Sequence, residues 1–533
     1  MMEEAASSVA WWWWLWTWRS AAACVLVVVA DALWWRPRRL EAHFARQGVR
    51  GPPYRFLVGC VREMVALMAE AASKPMSPPD SHNALPRVLA FYHYWRKIYG
   101  PTFLIWFGPT PRLTVSDPEL VREILVTRAD AFDRYEAHPV VRQLEGDGLV
   151  SLHGDKWALH RRVLTPAFYP DNLNRLAPHV GRSVAALTER WRAMASAAGG
   201  EVEVDVAEWF QAVAEETITR ATFGRSYDSG RVVFRMQGRL MAFASEAFRK
   251  VLVPGYRFFP TKKNRLSWSL DREIRRGLVT LIGRRSDEAA EAQHDNKGNN
   301  GGGFRDLLSL MINAAGGKKQ AIPVADMLEE CKTFFFAGKQ TTTNLLTWAT
   351  VLLAMHPEWQ DRARREVVDV CGDDELPSKE HLPKLKTVGM ILNETLRLYP
   401  PAVATIRRAT RDVTLGGNDD GVSVPRDTEL LIHGDAPRPG AVGPRRRVLQ
   451  PGPNLALLEA KLTLAVLLRR FELRRSPSYV HAPTVLMLLY PQYGAPVIFR
   501  PLSSGDRSSI CLRQQADGRD DADVHRSSNS SSR

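Results

Sequence analysis

Two short motifs place side chains that could bind an anionic group on one face of a helix. Trp157 and Arg161 are four residues apart, so in a helix they project from the same side. An indole N–H and a guanidinium together suit a carboxylate or propionate, although this spacing alone is usually packing beside a surface charge. Glu394 and Arg397 are three residues apart, again on one face. Because Tyr399-Pro400-Pro401 follows in an apolar context, we predict a buried ion pair that needs a further partner.

A long helical pattern between Pro323 and His356 contains an unusual centre. At about 1.5 Å per residue it would span roughly 50 Å. Its middle holds Phe334–Phe336 and then Ala337-Gly338-Lys339-Gln340-Thr341-Thr342-Thr343. Glycine and threonine are poor helix formers. Two interpretations stay open: a group lies against the small residues, or the helix kinks and the threonines bond back to their own chain.

The rest of the chain predicts a mainly α protein with one small strand region near each end. The pattern favours a hairpin at Thr102–Trp106 and Arg112–Ser116, then a helix that starts at Ser116 or Asp117 with Pro118. It also favours a helix face at Val206, Phe210, Val213 and Thr217 that ends near Gly224, a polar surface loop over 285–303, and a late helix Asn454–Phe471.

The N-terminal region predicts a membrane anchor. Between Trp11 and Trp35, Arg19 and Asp31 are the only charged residues, and about 20 apolar residues suffice to cross a bilayer. Three arginines follow the apolar run directly, which favours a cytosolic body. A cleaved signal peptide or a buried core helix would be the alternatives. Gly51-Pro52-Pro53 then predicts a hinge.

Composition excludes several other classes of protein. The 533 residues carry 72 basic and 58 acidic side chains, a net charge of +14. Five cysteines are too few for a disulfide scaffold and have no zinc-knuckle spacing. The positive charge suits an acidic partner or an anionic membrane. We expect no nucleic-acid partner, because no element combines a basic cluster with aromatic residues.

Taken together, these motifs resemble the cytochrome P-450 haem-thiolate monooxygenases of the membrane-anchored type. The elements are the anchor and proline segment, W-x-x-x-R at 157–161, A-G-x-x-T-T at 337–342, E-x-x-R at 394–397, and the late helix. The segments GPPYRF, HYWRKIYGPTFLIWFG, GLVSLHGDKWALHRRVLTPAFYPDNL, FFFAGKQTT and NETLRLYPP are similar to the plant subgroup that hydroxylates and inactivates brassinosteroids.

The resemblance implies a fold, a cofactor and partners. The fold would be a large helical domain plus a small β region, and the cofactor would be haem supplied with NADPH electrons by a reductase. Trp157, Arg161 and Arg397 would bind the cofactor, Glu394 with Arg397 would be a structural ion pair, and Thr341 with Gln340 would be catalytic. Gln340 stands where many relatives carry an acid. A steroid would be the substrate, and the protein would lie in the endoplasmic reticulum membrane with one span.

The resemblance also implies contacts with the substrate. By the layout of the family, the loop Phe132–Val150 and the aromatic run Phe334–Phe336 would line the substrate pocket.

The cysteine that ligates iron in this family has no counterpart here. It belongs in a glycine-rich loop just before the late helix, where His433–Pro453 holds neither cysteine nor aromatic residue. Cys24 lies in the predicted anchor, Cys60 near the hinge, and Cys331 two turns before Ala337-Gly338. Cys371 would lie in a loop, Cys511 in the polar tail, and His433 would be a loop histidine, so we assign no metal ligand. We interpret 433–453 as sequence from another reading frame or an aberrant splice junction, and predict that it is irregular and poorly packed.

Three functional hypotheses follow from these observations. The first is a microsomal steroid hydroxylase, the second a catalytically dead or misspliced relative, and the third a membrane-bound protein that binds an apolar ligand. The expected organisation is an anchor over 1–50, a cytochrome P-450-like domain over 51–502 with 433–453 aberrant, and a disordered tail over 503–533. We expect the first hypothesis to describe the family role and the second to describe this chain.

Overall fold

The chain is mainly helical. The computed structural model describes residues 2–76, 81–134, 139–248, 260–294, 305–315, 322–372, 376–417, 421–433, 453–485 and 487–503. In the described residues the helices are α1 Met2–Ala30, α2 Arg36–Arg46, α3 Val61–Ser73, α4 Leu85–Val88, α5 Ala90–Tyr99, α6 Pro118–Arg122, α7 Pro139–Glu145, α8 Gly154–Leu164, α9 Pro170–Ala197, α10 Val206–Phe223, α11 Tyr227–Phe248, α12 Lys262–His294, α13 Leu307–Ala315, α14 Val324–Met355, α15 Pro357–Cys371, α16 Lys386–Leu398 and α17 Pro453–Arg470.

The strands are short and lie in small sheets. They are β1 Phe103–Phe107, β2 Thr110–Val115, β3 Phe132–Arg134, β4 Val202–Asp205, β5 Ala404–Ala409, β6 Val413–Leu415, β7 Val422–Val424, β8 Glu429–His433, β9 Phe471–Arg475, β10 Pro483–Val485, β11 Leu489–Pro491 and β12 Pro496–Pro501.

The chain divides into two compact units. The smaller unit comprises Met1–Lys74, Asn83–Tyr135 and Val403–Arg445, and the larger unit comprises the remaining segments. The smaller unit contains a five-stranded sheet in the order β1-β2-β8-β5-β3. Its β2 and β8 are parallel, with Arg112 opposite Glu429, and the other pairs are antiparallel. Strands that the sequence places near opposite ends of the chain therefore share one sheet.

The larger unit is a helical core. Its long helix α14 begins after Pro323 and ends before Pro357, as the sequence predicts. On α10, Val206, Phe210, Val213 and Thr217 are all buried, and the helix ends at Gly224, whose φ is 49°. These predictions are confirmed because each rests on a helical period and a local stop residue.

The hairpin and the helix after it are also confirmed. Strands β1 and β2 pair in register from Phe103 opposite Thr114 to Phe107 opposite Thr110. The carboxylate of Asp117 accepts hydrogen bonds from the backbone N–H groups of Glu119 and Leu120 at 2.9 and 3.0 Å. A side chain that caps orphan N–H groups in this way starts α6.

Three local predictions are wrong. Residues 285–294 belong to α12, because alanine, glutamate and glutamine there favour a helix although they are polar or small; 295–303 lie outside the described residues. The segment at Gly51 is packed and not a free hinge, since a Cβ there would lie 1.8 Å from Leu104 O. Cys371 ends α15 and is buried, so it is not a loop residue.

The N-terminal helix fits the predicted anchor. The helical stretch Trp16–Arg46 is long and apolar enough to cross a membrane by length and composition, with mean hydropathy 1.4 in its most apolar window. No part of that window is buried, which excludes the alternative of a buried core helix. The helix passes through a π-helical turn at Asp31–Trp35 and then continues beyond the three arginines that follow. Arg39 pairs with Asp31 at 2.6 Å.

Candidate functional site

At the centre of α14 a side chain lies against the small residues, and the threonines bond back to their own helix. A Cβ on Gly338 would lie 2.6 Å from Cδ1 of Ile218, so the side chain of Ile218 on α10 lies directly against this glycine. The hydroxyl of Thr341 donates to Ala337 O at 2.5 Å, and Thr343 donates to Lys339 O at 2.8 Å. The glycine therefore permits a close helix crossing, and the threonines bond back to their own helix.

The aromatic run before this centre mainly packs against other aromatic side chains. Phe335 is fully buried, and its ring centroid lies 4.1 Å from that of Phe234 on α11. Phe334 is partly buried and stacks on Phe168 at 5.6 Å. Gln340 and Thr341 are also partly buried. Of the predicted substrate-contact residues, Phe335 is therefore a core side chain, and residues 135–138 of the predicted loop lie outside the described residues.

Helix α8 presents Trp157 and Arg161 on one exposed side, as the spacing predicts. Between them in sequence, His160 points inward: its Nδ1 lies 2.6 Å from Oε1 of Glu330 on α14, and both side chains are buried. Lys156 also pairs with Asp326 on α14 at 2.8 Å. These two contacts fix α8 against the N-terminal half of α14.

The Trp157–Arg161 motif on α8 and the threonine run of α14 are not bonded to each other directly. In the part of the chain that is described, no hydrogen bond or ion pair connects Trp157 or Arg161 to Thr341. The anchoring residue Glu330 is eleven residues before Thr341, which is about 16 Å along a helix. Sequence analysis missed the His160–Glu330 pair, because neither spacing within α8 nor composition of α14 indicates which distant side chains meet.

The Glu394–Arg397 pair forms but is not buried. Arg397 Nε donates to Glu394 Oε2 at 2.7 Å, and the side chains are 23% and 51% exposed respectively. On the same helix, Thr395 and Leu392 face the core. The prediction of a buried pair is wrong because Glu394 and Arg397 occupy the outer side of α16, which spacing alone does not reveal.

None of the described cysteines fits an axial thiolate. Cys60 and Cys331 are 1% and 0% exposed, so both sulfurs are enclosed by protein atoms. Cys24 is exposed on α1, and Cys371 is buried at the end of α15. Cys511 lies outside the described residues. The residues present therefore do not supply the ligand set of a haem-thiolate centre.

His433 is not a loop residue. It ends β8 and is 3% exposed, with its ring 3.8 Å from that of Tyr92. Neither ring nitrogen has a hydrogen-bond partner. Burial, with Arg96 and Arg112 nearby, lowers the pKa of His433 to about 3, so the imidazole stays neutral. Residues 434–452, which carry the predicted irregular segment, lie outside the described residues, as do 504–533 of the predicted tail.

A surface cavity of the larger unit is strongly basic. It is lined by Arg362, Arg365, Lys384 and Lys386 together with Glu366, Asp369 and Val370. Glu366 is engaged within the fold, because its carboxylate accepts hydrogen bonds from the N–H groups of Lys386, Thr387 and Val388 at the start of α16. The four cationic side chains outnumber Glu366 and Asp369, so the lining of the cavity carries a net positive charge.

Comparison with protein families gives one match over most of the chain. The profile described as "Cytochrome P450" matches residues 86–436. The match ends three residues after β8, where the predicted aberrant segment begins.

Curated relatives are similar over nearly their whole length. Cytochrome P450 734A4 of Oryza sativa subsp. japonica is 75% identical, with 89% of this chain and 96% of the relative covered. Cytochrome P450 734A1 of Arabidopsis thaliana is 52% identical, with 94% and 99% covered. The alignment with the first of these relatives runs over 516 positions. It includes 89% of the 533 residues of this chain, which is about 474 residues. About 40 positions of that relative therefore have no counterpart here.

Solved structures share the fold. The crystal structure of the cytochrome P450DA heme domain superposes with a TM-score of 0.63 at 21% identity and covers 81% of this chain and 98% of its own. A second cytochrome P450 structure, CYP102L1, gives 0.65 at 20% identity, with 79% and 99% covered. At this identity the likeness concerns the fold alone.

Proposed function

Because this chain belongs to the cytochrome P450 family of monooxygenases, we propose that its family role is the hydroxylation of a steroid of the brassinosteroid class. The similarity to the 734A relatives supports this role, as do the sequence segments shared with the brassinosteroid-hydroxylating subgroup. Electrons would come from NADPH through a reductase, and the basic cavity on the larger unit suits an acidic protein surface.

We also propose that the chain as it stands does not perform this reaction. The observation that carries this conclusion is that no cysteine occurs between Cys371 and Cys511. This interval contains β8, α17 and the whole connection between them, where the family places its iron ligand. Haem normally supplies the oxygen activation, and thiolate ligation favours O–O cleavage. Without the sulfur, bound haem would have only side-chain contacts to its edge.

The remaining motif residues keep their proposed family roles. Trp157 and Arg161 share an exposed helix side on which an anionic edge group such as a propionate could be bound, and we assign Arg397 to the same group. Thr341 and Gln340 remain the proposed catalytic pair. The N-terminal helix supports a single-span anchor in the endoplasmic reticulum membrane with the body in the cytosol.

A carbon monoxide difference spectrum on the reduced, expressed full-length chain tests this proposal. We expect the strongly red-shifted Soret band of thiolate-ligated haem to be absent, and a denatured-haem assay to show little bound cofactor. The 75%-identical relative, expressed in the same way, is the matched positive control. A thiolate-type band in this chain, or turnover of a steroid by it, would show that the loss of the ligand has been wrongly inferred.

A further inference from the structure

Five titratable side chains of the larger unit form a continuous hydrogen-bonded chain outside the motifs described above. Tyr479 Oη lies 2.8 Å from His481 Nδ1, and His481 Nε2 lies 3.0 Å from Tyr399 Oη. Tyr399 Oη also lies 2.9 Å from His82 Nδ1, and His82 Nε2 lies 3.1 Å from His356 Nε2. The chain connects residue 82, the ends of α14 and α16, and the segment that follows β9.

The two ends of this hydrogen-bonded chain differ in environment. In the middle, Tyr399 is fully buried and its ring stacks on that of Trp348 at 4.3 Å. At one end, His356 is partly exposed and its Nδ1 lies 3.4 Å from the carboxylate of Glu358 on α15. The other end, Tyr479, is partly buried.

Counting protons shows that the five groups cannot change state independently. A neutral imidazole carries one N–H, and a tyrosine carries one O–H. If Tyr399 donates to His82 Nδ1, then His82 must donate from Nε2 to His356. His356 then carries its N–H at Nδ1, facing Glu358. Tyr399 in turn accepts from His481 Nε2, whose Nδ1 accepts from Tyr479, so all four hydrogen bonds are made.

One added proton reverses the whole chain. When His356 is doubly protonated it donates to Glu358 and to His82, so His82 must accept at Nε2 and carry its proton at Nδ1. Tyr399 then accepts from His82 and donates to His481, which donates from Nδ1 to Tyr479. No hydrogen bond is lost.

We propose that Tyr479, His481, Tyr399, His82 and His356 form a proton-driven tautomer relay that clamps residue 82 and the segment at 479–481 to the ends of α14 and α16. All four hydrogen bonds are made both with no added proton and with one. Protonation at the exposed end thereby changes the tautomer of a buried histidine, His481, without any change in packing.

Ring ¹⁵N spectra of the full-length protein in detergent micelles test the relay, with histidines assigned by single His→Gln variants. We expect His481 to change from the Nε2–H to the Nδ1–H form as the pH is lowered from about 8 to about 5, the range over which imidazoles ordinarily gain a proton. Tyr399→Phe keeps a ring against Trp348 but removes the hydroxyl, so His481 should no longer follow His356. His179→Gln, on α9 and outside the relay, should leave the coupling intact.

A second variant covers the case in which Tyr399→Phe fails to fold. Glu358→Gln removes the exposed carboxylate that favours a proton on His356 Nδ1. We expect the change at His481 to require a proton concentration about two- to fivefold higher, the size of an exposed ion pair. A His481 tautomer that does not change over this pH range in the unmodified chain overturns the relay, and so does an unchanged midpoint in Glu358→Gln.

Discussion

At the scale of the single residue, the buried carboxyl of Glu459 links stability to pH. Glu459 lies on α17 and is 2% exposed. Burial is the main cause that raises its pKa to about 8, and the Thr217 hydroxyl opposes this shift. Because the folded state holds the proton more tightly than the unfolded chain, the contribution of this group favours folding at low pH and is lost as pH rises from about 4.5 toward 8.

Substitution of Glu459 should therefore change the pH dependence of folding. Between pH 6 and pH 8 we expect Glu459 to reduce the free energy of unfolding by about 2 kcal/mol, because the full slope of about 1.4 kcal/mol per pH unit falls off near the folded-state pKa. Urea unfolding of the wild type and Glu459→Gln at both pH values measures the difference. Glu208→Gln, an exposed carboxyl on α10, is the control. Equal pH slopes for wild type and Glu459→Gln would contradict the prediction.

At the scale of the element, the crossing of α10 and α14 depends on a missing Cβ. Gly338 faces Ile218, which is 3% exposed, and an added Cβ would lie 2.6 Å from Cγ1 and 3.1 Å from Cβ of that isoleucine. The glycine is unfavourable for the helix itself, by about 1 kcal/mol relative to alanine. The close packing of two long core helices compensates for this local cost.

Gly338→Ala should destabilise the protein by about 1–2 kcal/mol, because overpacking outweighs the gain in helix propensity. Gly283→Ala on α12 is the matched control: a Cβ there meets nothing within 4 Å. We expect it to stabilise the protein by up to about 1 kcal/mol. Chemical denaturation of both variants gives the values. In the double variant Gly338→Ala with Ile218→Val, part of the loss should be recovered; no recovery would mean that Ile218 is not the obstacle.

The end of α12 is held by a buried ion pair. Arg285 Nη2 lies 3.1 Å from Asp306 Oδ2, and both side chains are 5% exposed. Asp306 also accepts a hydrogen bond from the N–H of Ser309 at 2.8 Å, near the start of α13. Removing one partner would leave a buried charge without its counterion.

Asp306→Ala should lower the free energy of unfolding by about 3–5 kcal/mol, because Arg285 would remain buried and uncompensated. The exposed pair Arg225–Glu288 provides the comparison, since its side chains are 60% and 52% exposed. Glu288→Ala should cost less than about 1 kcal/mol. Similar losses for the two variants would indicate that Asp306 contributes little beyond a surface charge.

At the scale of the whole molecule, the defect in the haem site should be confined to one segment. Replacing 433–453 with the corresponding complete segment of the 75%-identical relative should restore a thiolate-type spectrum and steroid hydroxylation together. A single cysteine at Pro451 should not suffice, because the sequence around it lacks the family's loop. The spectrum and a product assay are the two measurements. If the chimera binds haem but leaves steroids unchanged, the substrate assignment is wrong while the fold assignment stands.

The anchor should be separable from the body only up to a defined residue. Tyr54 Oη donates to Leu33 O at 2.6 Å, and Trp34 contacts Phe56 with ring centroids 5.9 Å apart. Deleting residues 1–30 should therefore weaken membrane association without loss of stability. Deleting 1–35 should also cost about 1 kcal/mol through the lost hydrogen bond. Microsome flotation and urea unfolding measure these effects, and protection of the body from protease in sealed microsomes would reverse the proposed topology.

Local patterns in the sequence were sufficient for several conclusions. The periodicity of α10 and α14, the cap at Asp117 and the hairpin at β1–β2 each depend on residues that are close in sequence. The absent iron ligand is also a property of the sequence, because no fold can supply a cysteine that the interval 372–510 does not contain.

Other features were decided by tertiary structure alone. The parallel pairing of β2 with β8, the inward contact of His160 with Glu330, and the exposure of Glu394 all depend on which distant segments come together. Spacing fixes the side of a helix on which a residue lies, but not whether that side faces the core or the solvent. The relay through Tyr399 joins four separate segments, so its proton coupling exists only in the folded chain.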